Sequence, residues 1–580
     1  MPLDVLPFSE LRTSDGGARQ GTADLWCTYA AVRTLTWLGE KPADPEKTVR
    51  FLSAAQNSDG GFAWQKGLTS DVWATYYSTQ ALSDLGAEIP HLAELKEWIG
   101  TTRDSSGGFA MTPGQRPDVW ATYYATRTYA EILGTGIPRP DDLKSWLGSL
   151  QRTDGGLGWY PGAGESDVRA CYYAATAWRA SFGDEPRPWA HPALVGWLDE
   201  RQTPAGGFVF DESAKADDLW ATFRAVRALA ALGERPDREA DCVDWVISRQ
   251  PAAGSFTRWD DYPDADVWAA FSAVGALQTL GRTPRDTAAV VAFLQECELP
   301  EGGFTYRRAG DAGDSLATAA LLLTGTANGG GADRNLDTLD GLARWLHAAH
   351  LPYEGGVMYM PGRGAEVRCT LWAVSALAAA RREQLDADRL VAWLRLLQNT
   401  DGGFGYWHGR ASDMVATVSA LDILAALGRP ADELDTAALR SFADSCRTDT
   451  GYRYSPGAAV TAASTAQALR LLHLLDDGRD TDGLRTIAGR LLSPYASRLG
   501  GYASQSRGIP DLVSTYQVVL TLQALELPLD GPELSRFLAR VRLPDDTFAW
   551  SPLGRRGGGP LAGALGTLLT HSSRLPAINL

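Results

Sequence analysis

Asp71-Val72-Trp73-Ala74-Thr75-Tyr76-Tyr77 and Asp118-Val119-Trp120-Ala121-Thr122-Tyr123-Tyr124 are two copies of one phrase, an acidic residue followed by a tryptophan-rich run. The acidic position returns at Asp24, Asp71, Asp118, Asp167, Asp218, Asp266, Asp314, Glu366 and Asp413, with Ala459 and Asp511 in the same slot and a worn twelfth copy near Leu561. A period near 50 residues marks a repeat architecture, so the fold is argued from the unit.

Each unit reads as two helices. The first starts at the acid and is apolar on nearly every face (Trp73, Tyr76, Tyr77, Ala81, Leu82), the pattern of a helix buried all round. The second is amphipathic and stops at a glycine turn, as in Phe51-Leu52-Ser53-Ala54-Ala55-Gln56-Asn57-Ser58-Asp59-Gly60-Gly61-Phe62. Period-two alternation is scarce, which predicts an all-α chain. Inner helices covered by an outer ring form an (α/α) barrel, and six hairpins close one ring. About twelve helical-hairpin repeats therefore predict two (α/α)6 toroids. The twelfth inner helix lacks an outer partner, whereas Leu3 to Arg12 with Thr13-Ser14-Asp15-Gly16-Gly17 read as an outer helix and turn lacking an inner one. Residues 1–16 are thus expected to close a ring formed by 299–580, with 17–298 inserted as the other ring.

Composition narrows the function. The net charge of -16 excludes a phosphate-backbone footprint, so no nucleic-acid partner is expected. No run of 18 apolar residues predicts a membrane span, the start Met1-Pro2-Leu3-Asp4-Val5-Leu6 has no secretory pattern, and a cytoplasmic location is expected. The six cysteines form no CxxC pair and read as reduced core thiols. Twenty Trp, 19 Tyr and 16 Phe must fill a core or line a hollow.

The outer-helix turn resembles the QW motif of squalene-hopene and oxidosqualene cyclases: Phe51-Leu52 with Gln56, Gly60 and Phe62, and Trp393-Leu394 with Gln398, Gly402 and Phe404, while Gln151, Gln202 and Gln250 stand in further copies. In that family the motif ties outer helices together and does no chemistry. The two-ring inserted layout resembles the βγ architecture of class II terpene cyclases, including bacterial diterpene cyclases. The resemblance implies an aromatic-lined cavity and an acid-initiated carbocation cascade, started by the middle Asp of a DxDD motif at the head of an inner helix of the β ring.

Here that slot reads Asp311-Ala312-Gly313-Asp314, with Gly313 in place of the proton donor, and the family's Asn or His partner is absent near Arg368-Cys369-Thr370. The resemblance makes Asp311, Asp314 and Glu366 the candidate acids. An N-cap that accepts backbone N–H bonds is the structural reading of the repeated acid. Met360-Pro361-Gly362-Arg363 and Tyr406-Trp407-His408 resemble loop stretches of the diterpene cyclases, and Arg307, Arg363, Arg368, Tyr406, Trp407 and His408 are expected to hold the substrate. Inner aromatics such as Trp73, Tyr77, Trp120, Trp220 and Trp268 are expected to fill the inserted ring, and small residues such as Ala317 and Ser419 to leave room in the other.

Among the histidines, His347 and His350 lie three apart without a third ligand, and no protein metal site is expected. Protein prenyltransferase β-subunits share the ring but bind zinc through inner-helix Asp, Cys and His. No inner helix here presents such a His, so no zinc is expected. Taken together, the resemblance implies a bacterial isoprenoid cyclase, an isomerase or lyase, acting as monomer or homodimer on a C15 or C20 prenyl diphosphate, with Mg2+ carried on the diphosphate. The alternative is a terpenoid-binding or differently reacting toroid that has lost DxDD-dependent protonation.

Overall fold

A computed structural model describes residues 12–14, 16–19, 23–64, 70–164, 166–211, 217–252, 254–258, 264–308, 313–327, 336–351, 355–360, 364–407, 410–476, 481–554 and 557–580. Contacts divide the chain into two compact units, Thr22–Ala309 and Met1–Gly21 with Gly310–Leu580. Both are helical throughout, apart from one two-residue strand pair, Arg447–Thr448 with Gly451–Tyr452, among the described residues.

In the unit Thr22–Ala309 the helices are α1 (Leu25–Trp37), α2 (Pro45–Ser53), α3 (Val72–Asp84), α4 (Leu92–Thr101), α5 (Val119–Arg127), α6 (Pro140–Gly148), α7 (Val168–Phe182), α8 (His191–Asp199), α9 (Leu219–Leu232), α10 (Glu239–Ser248), α11 (Val267–Thr279) and α12 (Thr287–Glu296). Odd-numbered helices pack on one another in sequence, and α11 packs back on α1, so six inner helices close a ring. Their composition demands it: α3 buries every residue from Val72 to Leu82, whereas outer α4 buries only Leu95, Trp98 and Ile99. The centre of this ring is filled by its own side chains. Tyr29 stacks on Tyr77 at 3.9 Å, Trp26 on Trp268 at 4.5 Å, and Tyr123 meets Tyr173 at 5.0 Å.

The second unit repeats the plan with α13 (Ser315–Ala327), α14 (Leu336–Ala348), α15 (Val367–Ala379), α16 (Ala387–Leu397), α17 (Met414–Ala426), α18 (Thr436–Ser445), α19 (Ala462–Asp476), α20 (Thr481–Leu492), α21 (Leu512–Ala524), α22 (Gly531–Val541) and α23 (Gly559–His571). Here α13, α15, α17, α19, α21 and α23 pack in order, and α23 closes on α13.

Two local devices set the register. The repeated acid caps most of the inner helices: Asp71 accepts the Ala74 N–H at 3.0 Å, Asp314 that of Ala317 at 2.7 Å and Asp511 that of Ser514 at 2.7 Å. Four residues on, a threonine hydroxyl accepts an N–H from the glycine turn, as Thr75 does from Phe62 and Thr417 from Phe404. Thr461, whose hydroxyl accepts the Ser464 N–H at 3.1 Å, is the cap of α19, two residues beyond the expected Ala459. The two termini of the pattern are crossed. Phe304, at the turn after α12, donates to Thr28 of α1, while Ala18 donates to Thr318 of α13 at 3.0 Å. The expected outer helix Leu3 to Arg12 lies, up to residue 11, outside the described residues.

The glutamines of the turns are staples. Gln398 Nε2 donates to the Gly402 carbonyl in its own turn at 3.0 Å and to the Asp435 carbonyl at the cap of the next outer helix at 3.1 Å. Gln56, Gln151, Gln202 and Gln250 make the same pair of bonds. Gly402 has φ +88°, and a Cβ there would stand 2.0 Å from the Ala438 carbonyl oxygen, so only glycine allows that approach.

Candidate functional site

Three tyrosines crown the heads of consecutive inner helices in the second unit. The Tyr359 carbonyl accepts the first N–H of α13, Tyr406 that of α15 and Tyr454 that of α17. Beneath them lie the caps Asp314, Glu366 and Asp413, all buried. Glu366 departs from the other acids. Its extra methylene carries the carboxylate past the backbone, so it makes no side-chain cap bond. Instead Oε1 accepts from Arg368 Nε at 3.2 Å and Oε2 from the Cys369 thiol at 2.7 Å. Burial, then the Glu366 charge, push that thiol well above its usual range. Burial opposes the charge on Arg368, but Glu366 and Tyr406 more than offset it and raise the guanidinium further. Arg368 lies over the Tyr406 ring at 5.2 Å, with 28% of its side chain still exposed.

Asp413 is the acid that a motif search passes over, because its sequence is that of every other cap. Burial pushes it up to about 7, against the Ala416 N–H, the Tyr454 hydroxyl and the charges of Arg410 and Arg368. Tyr454 in turn donates to the Tyr406 hydroxyl at 3.5 Å. Burial likewise raises Asp266, in the equivalent place of the other unit, to about 6 beside Tyr306. A cap acid with a turn tyrosine above it is thus a product of the repeat, and the signal available in sequence was the tyrosine recurring at 359, 406 and 454.

The predicted residues are only partly brought together. Asp314, Glu366, Arg368, Tyr406 and Trp407 share this unit, with the Tyr406 and Trp407 rings 6.1 Å apart. Arg307 belongs to the unit Thr22–Ala309, where it pairs with Asp264 at 3.2 Å. Asp311, Arg363 and His408 lie outside the described residues. At Gly313 a Cβ would stand 3.1 Å from the Thr13 hydroxyl and 3.2 Å from the Trp345 ring, so a side chain in the donor's slot requires these neighbours to give by a few tenths of an ångström. His347 and His350 bond the carbonyls of Glu383 and Gly355, and among the described residues no group of three or more His, Cys, Asp or Glu could hold a metal. All six cysteines are free and buried.

Below the crown, the lumen is occupied by residues 573–580. Ile578 and Asn579 are wholly buried. The carbonyls of Pro576, Ala577, Ile578 and Asn579 accept from Tyr516 (2.7 Å), Ser375 (2.6 Å), Gln517 (2.8 Å) and Trp372 Nε1 (2.8 Å) respectively. The Asn579 amide bridges a buried ion pair: its oxygen accepts from Arg470 at 2.7 Å, and its nitrogen donates to Asp422 at 3.0 Å and to Ser419 at 2.9 Å. Arg470 and Asp422 meet at 2.9 Å, each 3% exposed. Of the small residues expected to leave room in this ring, Ser419 faces the chain's own Asn579. An open cleft of about 490 Å³ between Ala496–Tyr502 and Leu529–Arg536 lies outside the ring of inner helices.

The model of the prenyltransferase alpha-alpha toroid domain matches residues 8–85, 64–186, 184–364, 362–457 and 458–559. The chain belongs to that family. Among solved structures, this alpha-alpha toroid protein is similar to ent-copalyl diphosphate synthase from Streptomyces platensis, at 16% identity over 95% of this chain and 96% of that one, with a TM-score of 0.44. It is also similar to the type II terpene cyclase MstE from Scytonema (17% identity, 51% of this chain and 77% of that one, TM-score 0.25). A third is Candida albicans protein geranylgeranyltransferase-I complexed with GGPP (17%, 60% and 97%, TM-score 0.31). No curated protein matches the chain. No helix of the described residues is long and apolar enough to cross a membrane.

Proposed function

We propose that this protein is an isoprenoid cyclase of the class II type, an isomerase or lyase acting on a C15 or C20 prenyl diphosphate, and that its described acid is Asp413. The observation that carries the reading is the place of the Asp413 carboxyl, buried at the head of its inner helix under linked Tyr454 and Tyr406 with Arg368 against the Tyr406 ring; burial holds it up to about 7, so part of it carries a proton near neutral pH. Asp314 is engaged by the Ala317 N–H, and Glu366 by Arg368 and Cys369. In this reading Glu366 and Arg368 form a fixed charge pair beside the reacting end, and Asp311 remains a second acid to be tested. The partly exposed guanidinium groups of Arg368 and Arg410 are, among the described residues, cations that could meet a diphosphate at the ring mouth, and Mg2+ is expected to arrive on the diphosphate.

The test is incubation with farnesyl and geranylgeranyl diphosphate plus Mg2+, followed by dephosphorylation and a search for cyclic alcohols. Cyclic product from the native chain that is lost in Asp413→Asn, which keeps the cap while removing the acid, supports the proposal. No cyclic product from either substrate overturns it. Gly313, which offers no donor in a crowded slot, favours a second reading, a terpenoid-binding ring that no longer protonates its ligand. Isoprenoid binding without turnover would decide for that one.

A further inference from the structure

Residues 573–580 are held in a manner unlike the rest of the core. Among the described residues the segment makes no backbone-to-backbone hydrogen bond; its main chain is received by side chains of α15 and α21, and its Asn579 amide by α17 and α19. Successive carbonyls each meet their own donor, the pattern of a peptide recognised in a site and not of a strand or helix completing a fold. The segment can also leave without stranding a charge. Arg470 and Asp422 stay paired through Nε–Oδ1 and Nη2–Oδ2 contacts of 3.2 and 2.9 Å. One turn before Arg470 on α19, both polar atoms of the buried Gln467 amide lack a hydrogen-bond partner, an unmet donor and acceptor on the same inner helix.

We infer that the lumen of this ring is a peptide-binding site whose resident ligand is the chain's own segment 573–580, a displaceable plug that leaves while the ring stays folded. Its consequence rests on the function proposed above: the plug and an isoprenoid chain compete for one space, so the described conformation is the closed one. The displacement itself does not depend on that function.

The six native cysteines are buried, which makes an introduced thiol a clean reporter. In the full-length chain, Ile578→Cys is treated with an excess aromatic disulfide reagent, and its modification rate is followed against urea below the unfolding transition. The inference expects a rate independent of urea, raised at least tenfold when Asn579→Ala is added, and raised several-fold by the milder Ser375→Ala. It further expects a synthetic peptide of sequence Arg-Leu-Pro-Ala-Ile-Asn-Leu, residues 574–580, to bind the Asn579→Ala chain, and the same peptide with Ala for Asn to bind at least tenfold more weakly. Modification that tracks loss of helical signal, with the urea slope of global unfolding, would overturn the inference, as would a released segment whose site takes up no peptide. Absence of isoprenoid turnover in every variant would remove the cyclase reading and leave this one standing.

Discussion

The buried pair Arg470–Asp422 allows a quantitative test of how the second ring is held. Arg470→Met removes the guanidinium and leaves the Asp422 carboxylate, 3% exposed, with the Asn579 amide as its neutral hydrogen-bond donor. Stranding one member of a buried pair costs about 3–5 kcal/mol, because the desolvation penalty of the survivor is no longer offset. That corresponds to a shift of the order of 10 °C in the melting transition of a unit this size. The double variant Arg470→Met/Asp422→Leu removes both charges and takes a partner only from neutral groups, the Asn579 amide and the Gln517 carbonyl oxygen, a cost of about 1–3 kcal/mol. Scanning calorimetry and urea titration of the full chain, with both singles and the double, close the cycle. The expected result is a double variant more stable than Arg470→Met alone. A single variant destabilised by less than about 1 kcal/mol, or two singles whose effects simply add, would refute the claim that the pair is desolvated and coupled.

Other expectations follow from the same geometry. Asp413 binds its proton more tightly folded than unfolded, so native stability falls as pH rises from about 4 through about 7, by up to roughly 4 kcal/mol; Asp413→Asn should flatten that slope, and cyclisation by the native chain should decline above pH 7. Gly313→Asp should destabilise by about 1–3 kcal/mol, since its Cβ meets Thr13 and Trp345, and should fail to raise activity; a stable, faster variant would contradict the crowded slot. Deleting residues 1–16 removes the Thr13 contact and leaves Ala18 without its turn, so the melting transition of the unit Gly310–Leu580 should fall while that of Thr22–Ala309 holds. Gln398→Ala, which unpins two carbonyls, should cost about 1–2 kcal/mol in thermal unfolding.

The repeat was readable because each of its parts acts locally. A cap acid bonds an N–H three residues ahead, as Asp413 does at Ala416, and a turn glutamine reaches the next outer helix at a nearly constant spacing, so both leave a period in the chain. The aromatic filling of one ring followed from its composition. Where the period wore thin, the register slipped, and Thr461 took the place assigned to Ala459.

The candidate site was less legible. Sequence placed Glu366, Arg368 and Tyr406 at one ring mouth, yet gave no reason to separate Asp413 from the other caps, because its raised proton affinity comes from burial under residues of the following repeat. Nor did it separate Arg307 from the rest, since the boundary between units falls just after it.

The sequence by itself determined that this chain forms alpha-alpha toroids with capped inner helices and stapled outer ones, because those features repeat and rest on near neighbours. Tertiary structure alone decided that Thr13 and Trp345 crowd the space beside Gly313, and that residues 573–580 enter the second ring. Those contacts join Trp372 to Asn579 and Asp422 to Arg470 across long stretches of chain, and side-chain complementarity at such separations leaves no periodic trace to read.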